Sequence, residues 1–255
     1  RRFLQQAAML GGLSASRTAW SAEKEPVPDR PEAHPPLGKG QGIYPGRVVW
    51  VHDPKVIDWQ GPGDGHWWTP GRIKKDRLQA MLARAVMELT GQDSPAKAWD
   101  KLFRHFNQTH GRGDVGYRTG EKILIKPNWV GFIWRDRNVD PQTYQLVRRQ
   151  DYMNTSPQIL IALMTQLVKE VGVRPADITI CDALALLADE FYQILHEAFP
   201  EVRYEDFGGK PGRIKVKGSD TPLYWSCRPT GVAQDYLPAS FAEATYLINL
   251  ANLKG

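Results

Sequence analysis

Lys122-Ile-Leu-Ile-Lys126, Asp177-Ile-Thr-Ile-Cys181 and Val202-Arg-Tyr-Glu-Asp-Phe207 are three short β-type runs, and a helical pattern fills each gap between them. The first gap contains Thr155-Ser156-Pro157, a cap followed by a proline at the first helical position. It leads into a stripe of Ile159, Leu160, Leu163, Leu167 and Val171 that Gly172 terminates. The second gap carries a helical pattern over about 188–199. Strand, helix, strand, helix, strand in this order implies right-handed crossovers and parallel pairing. The fold class expected is therefore α/β: a mainly parallel sheet with helices on both faces, in a Rossmann-like three-layer arrangement.

Reading outward from this centre, Arg213 to Lys217 and Tyr224 to Cys227 fit a hairpin or an edge addition, and Ala244 to Leu250 reads as a further buried strand. The sequence ends soon afterwards, without the helix that would cover that strand, so the α/β domain is expected to be C-terminally incomplete. Towards the N-terminus, the β-branched and aromatic run Arg47 to Asp53, stopped by Pro54, reads as a buried strand. Gly61 to Trp68 is a glycine-rich loop, and helices are expected over 75–89 and 95–107, the second capped by Ser94 and Pro95. One domain is expected over residues 47–255, after a Pro/Gly-rich linker or arm over 22–46.

Composition agrees with a folded globular chain. Of 255 residues 42% are hydrophobic and 24% charged, enough apolar side chain to build a core and to exclude whole-chain disorder. No stretch is apolar for the roughly 20 residues that span a bilayer. The net charge of +5 has a local origin: Arg1, Arg2 and Arg17 lie among the first 21 residues with no acid. Removing those three from 33 Lys+Arg leaves 30 against 28 Asp+Glu, a net +2. Residues 1–21 pair Arg1-Arg2-Phe3-Leu4 with a weakly apolar run and a small-residue exit at Ala19 and Ser21, which is similar to a twin-arginine export signal. Export to the periplasm or beyond follows from that likeness, with no membrane span after cleavage. No nucleic-acid partner is expected, because Arg72 to Arg77 and Arg148-Arg149 lack interleaved aromatics.

In open parallel sheets the ligand site lies beyond the carboxyl ends of the strands. Lys126 and Asn128, then Asp182, then Asn249, Asn252 and Lys254 follow three of the expected strands. Asn154, Thr155 and Ser156 precede a helix N-terminus, where free amides and the dipole favour an anion. A pocket for a small anionic ligand is expected there, with Lys126 and Lys254 as charge partners and Asp182 as acid, base or ligand. Singly, each residue also has a structural role: Ser156 as a cap, Asn128 as a turn. A separate group, His52, Asp53, Asp64 and His66, combines imidazole and carboxylate in a form suited to zinc or iron, although its spacing matches no two-histidine motif. Trp67 and Trp68 beside it either stack on a ligand or close the core, and packing is the commoner use.

Other motifs carry less. Gly111-Arg-Gly-Asp-Val-Gly116 has dinucleotide-fingerprint spacing, yet it follows a helix and leads into a strand, the reverse of the required context. Arg112-Gly-Asp114 within it is a polar turn. Cys181 and Cys227 form either a disulfide or two free thiols, Cys181 at the end of a buried strand.

Four segments together resemble the family called domain of unknown function 362: Lys126-Pro-Asn-Trp-Val-Gly131, Asn154-Thr-Ser-Pro157, Ile178-Thr-Ile-Cys-Asp182 and Leu247-Ile-Asn-Leu-Ala-Asn-Leu-Lys-Gly255. The likeness runs from about Arg47 to the end. It implies an α/β domain and, through relatives fused to iron-sulfur modules, redox chemistry with an iron-sulfur cluster or metal ion and an electron-transfer partner. The two cysteines of this chain are too few for a four-thiolate cluster. Two classes of function stay open: an exported enzyme, redox- or metal-linked, acting on a small anionic substrate, and a non-catalytic accessory protein that binds an anion or cofactor.

Overall fold

Alternating apolar residues decide which way the central sheet faces. In the computed structural model, which describes residues 38–61, 63–147, 154–224 and 234–252, strand β1 spans Ile123–Pro127, β2 Ile178–Cys181, β3 Arg203–Asp206 and β4 Ile214–Lys215. A last strand, Tyr246–Leu250, pairs with the other edge of β1. Counting the intervening hairpin of Gly218–Tyr224 (β5) and Gln234–Pro238 (β6), it is β7. The five-stranded sheet has the order β4-β3-β2-β1-β7, and every neighbouring pair is parallel. Ile123, Ile125, Ile178, Ile180, Tyr204 and Tyr246 point to one face and enter the main core.

Helices α1 (Lys75–Thr90), α2 (Pro95–Thr109), α3 (Pro157–Thr165) and α4 (Asp189–Ala198) cover that face. The opposite face, with Leu124, Thr179 and Glu205, meets the short helix α5 (Ala239–Glu243), whose Ala239 and Ser240 share a cleft with those strand residues. The result is an α/β sheet with helices on both faces, as the strand and helix alternation requires. Among the described residues no helix is long and apolar enough to cross a membrane.

Local signals account for most elements. Ser94 Oγ accepts from Lys97 N at 3.4 Å and Ser156 Oγ from Ile159 N at 3.2 Å, each followed by proline at the first helical position. Helix α3 continues past Thr165 through a widened π-turn, Gln166–Glu170, before Gly172 ends it at φ 80°. That turn seats the buried Gln166, whose Oε1 accepts from Trp99 Nε1 at 2.9 Å and so ties α3 to α2.

Two expectations need correction. Arg47 to Asp53 is not a buried strand: Val48 is 90% and Trp50 79% exposed, and no strand pairs with the segment. The five strands of the sheet pair among themselves, and this run stays outside their ladder. Arg47 Nη1 donates to Glu88 O on α1, and the Arg47 guanidinium lies 3.9 Å from the Tyr44 ring centre. Strand β7 is only half covered: Tyr246 is buried while Leu247 is 57% exposed, because β7 is the outer strand and α5 does not reach across it. Arg213 to Lys217 supplies the edge strand β4, and Tyr224 closes β5 of the hairpin. Residues 225–227, the signal reading over 1–21 and most of the linker lie outside the described residues.

At the amino-terminal edge of the sheet, Asp177 holds three partners. Arg174 binds it through Nε at 2.9 Å and Nη2 at 2.8 Å, Tyr117 Oη donates at 2.5 Å and Gly120 N at 2.9 Å. The Arg174 guanidinium, chiefly, holds the carboxyl down to about 2. A depressed folded pKa stabilises the protein above the unfolded value near 4 and loses that stabilisation as pH falls through 2. Arg174 is half-exposed, so the stabilisation is set at about 1–2 kcal/mol after screening. Asp177→Asn is expected to lose that amount in urea unfolding at about pH 7 and to match the wild type near pH 2. An equal gap at both pH values would remove the ion pair as its cause.

Candidate functional site

Strand order reverses between β1 and β7, so the crevice beyond their carboxyl ends is the switch point of this sheet. Thr155 spans it. Asn128 N donates to Thr155 Oγ1 at 2.8 Å, Thr155 Oγ1 donates to Leu250 O at 2.8 Å, and Thr155 N donates to Asn128 O at 2.9 Å. One buried hydroxyl thereby joins the ends of β1 and β7 to the start of α3. Asn154 is also buried and accepts from Gly131 N at 2.9 Å through Oδ1. The side chains of Asn154, Thr155 and Ser156 are thus engaged in shaping the crevice rather than open to a ligand.

Around this frame the expected site residues separate into two groups. Lys126 stands in register with Asn249 across β1 and β7, and Asp182 reaches the same strand end, accepting from Trp129 N at 2.8 Å through Oδ2. Lys126 is half-buried, and its ammonium has no acceptor among the described residues. The Asn128 amide likewise has no described partner, and its Oδ1 is buried. Asn249 is exposed beside them, and Asn252 follows two residues after β7. Lys254 lies outside the described residues.

No family model, curated protein or solved structure matches the chain. The chemistry is therefore read from the residues themselves.

His52, Asp53, Asp64 and His66 do not converge, which corrects the expected metal group. Asp53 pairs with Arg77 at 2.6 Å and Asp64 with Arg72 at 2.6 Å, so each carboxylate has its own guanidinium. His66 stacks on Trp68 with ring centres 4.9 Å apart, and His52 is exposed. Among the described residues no three His, Cys, Asp or Glu side chains are placed to hold a metal ion. Cys181 is a buried free thiol whose pKa burial pushes up, with the Glu205 and Asp182 carboxylates adding to the rise. A protonated thiol sealed in a core is a poor ligand and a poor nucleophile. Two cysteines are too few for a four-thiolate iron-sulfur cluster. Trp68 is 4% exposed and packs on Phe191, in agreement with a packing role.

Sequence reasoning missed a second feature of the same sheet edge. Three loops, after β1, β2 and β3, enclose a cavity of about 1000 Å³ lined by Trp134, Arg137, Tyr144, Leu186, Phe207 and Gly208 among others. The loops are fastened by Leu186 N to Phe132 O at 2.9 Å, Trp134 N to Leu184 O at 3.1 Å and Phe207 N to Ala185 O at 2.9 Å. Asp206, at the end of β3, anchors the third loop by accepting from Gly208 N at 3.1 Å and Gly209 N at 2.6 Å. The Gly208-Gly209 pair directly after a strand was the available signal.

Proposed function

We propose that the protein binds a small anionic substrate in the crevice between β1 and β7 and acts on it as an enzyme. The observation that carries this reading is the Lys126 ammonium, on a half-buried residue, placed without an acceptor where the strand order reverses. An unpaired ammonium gains a charge-assisted hydrogen bond when an anion meets it, and the Asn128 amide beside it offers a neutral hydrogen-bonding group. Asp182 is the proton carrier in this reading: one oxygen is fixed by Trp129 N, and the other has no described partner. Export by the twin-arginine route belongs to the same proposal, on the likeness of residues 1–21. So does a redox linkage, on the family resemblance; an iron-sulfur centre would then sit on an electron-transfer partner.

A second reading, a non-catalytic anion-binding protein, is favoured by the engagement of Asn154, Thr155 and Ser156 within the protein, which leaves few polar side chains free to act on a substrate. Calorimetry with inorganic phosphate and malonate on the full-length protein tests the shared part. Lys126→Met is expected to weaken binding about tenfold or more, the loss of one charge-assisted contact. Unchanged binding in that variant would refute the site. Asp182→Asn separates the two classes: the enzyme loses turnover and retains binding, whereas the binder shows no turnover with either side chain. Metal content and the absorption spectrum of protein purified without oxygen test the redox linkage.

A further inference from the structure

The cavity beyond β3 combines three features. The first is a flat apolar wall: Trp134 and Phe207 stack with ring centres 4.8 Å apart and planes 3° apart, yet each stays more than a third exposed, at 37% and 38%. Leu186 and Val139 continue that wall. Large rings stacked in parallel on a loop surface offer an aromatic ligand a further face on which to stack.

The second is unpaired positive charge. Arg135 and Arg137 line the cavity and have no ion pair among the described residues; Arg135 only lies over the Trp134 ring at 5.0 Å. Lys210 lines it too, but is engaged by Asp189 at 3.2 Å and by Thr143 O. The acid in the lining, Asp140, is occupied by Gln142 N at 2.7 Å and Thr143 N at 2.9 Å. Free guanidinium outweighs free carboxylate.

The third is a buried phenol in the lining. Tyr144 is 3% exposed and lines the cavity, and its Oη is sealed from solvent beside the Asp206 carboxylate. The Asp206 carboxylate is near enough to act on it electrostatically, but the bonds that carboxylate accepts come from Leu187 N, Gly208 N and Gly209 N. Burial, with Asp206 next, pushes the phenol up to about 12, so it remains a neutral donor. The geometry around it is deliberate: a Cβ on Gly208 would fall 1.8 Å from Tyr144 Oη, so only glycine leaves room for the phenol.

We propose that this cavity is a second binding site, distinct from the β1/β7 crevice, for an aromatic carboxylate. The ring stacks on the Trp134 and Phe207 wall, and the carboxylate meets Arg135 and Arg137. The volume of about 1000 Å³ is at the upper end of what small-molecule sites use, so a ligand of two fused rings fits.

Calorimetry on the full-length protein with 1-naphthoate as probe tests this. The expected result is one-to-one saturable binding, weakened about tenfold or more for uncharged 1-naphthalenemethanol. The exposed double substitution Arg135→Gln/Arg137→Gln, which leaves the core untouched, is expected to weaken 1-naphthoate about tenfold or more. Lys126→Met is expected to leave 1-naphthoate binding unchanged, and the double arginine variant to leave phosphate binding unchanged. Absence of saturable binding overturns the proposal, as does binding that survives the arginine substitutions. A joint loss of both ligands on Lys126→Met would show one site rather than two, and would also overturn it.

Discussion

Replacing Trp129 by alanine is expected to lower the free energy of unfolding by about 3–5 kcal/mol, the range for emptying a large buried aromatic position. Its ring is fully buried beside Phe132, with ring centres 6.4 Å apart, in the core beneath the switch-point crevice. The indole Nε1 also donates to Thr155 O at 3.0 Å, so truncation both opens a void and strands a buried carbonyl. Trp129→Phe separates the two effects: it refills much of the void and leaves only the carbonyl unpaired, for an expected loss of about 1–2 kcal/mol. Chemical denaturation reads both values. An alanine variant that loses less than about 1 kcal/mol would mean that the indole is not packed in the core. The backbone N–H of residue 129 still reaches Asp182 in either variant, so the orientation of that carboxylate is expected to persist wherever the protein folds.

The second large effect belongs to Asp206→Ala, expected to lose about 3–5 kcal/mol. The carboxylate is fully buried and accepts from Leu187 N at 3.0 Å, Gly208 N at 3.1 Å and Gly209 N at 2.6 Å, all of which alanine leaves unpaired. Burial outweighs those bonds in setting its pKa, which is raised. A raised folded pKa means that ionising Asp206 costs stability, so its contribution is greatest below the unfolded value near 4 and shrinks as pH climbs through the folded one. The gap between wild type and variant is therefore expected to narrow with rising pH in urea titrations. A gap that widens would reverse the balance between burial and hydrogen bonding. Because the freed amides form the loop under Phe207, the same variant is expected to weaken 1-naphthoate as well.

Where structure could be read from residues alone, a local pattern coincided with a local cause. Ile159, Leu160, Leu163 and Leu167 needed only the helical period, and Ser94 and Ser156 only the cap that each provides. Strands β1, β2 and β3 were legible because a buried parallel strand is a short apolar run between helices. Arg47 to Asp53 has the same composition, but whether a ladder edge is free to receive it is a property of the whole sheet. Leu247 failed for a related reason, since apolar content does not distinguish an edge strand from a central one.

The site divides along the same line. Lys126, Asn128 and Asp182 were placed together by the rule that parallel strands present their carboxyl ends to ligands. The roles of Asn154 and Thr155 were not legible, because their partners, Gly131 and Leu250, become neighbours only after folding. The cavity beyond β3 was invisible for the same reason: its wall comes from Trp134 and Phe207, on loops that follow different strands.

The position of β7 also sets an order of events during synthesis. Ile123 of the central strand pairs on one side with Ile178 and on the other with Tyr246, which the ribosome delivers later. Until then one side of β1 is an open row of amides and carbonyls along an apolar strand, the form of edge most prone to pair with another chain. A nascent chain stalled before residue 246 would carry that edge exposed, and Thr155 would wait without the Leu250 carbonyl that completes its bonding. Solubility during translation thus depends on the arrival of β7, whatever the strength of the four parallel strands already in place.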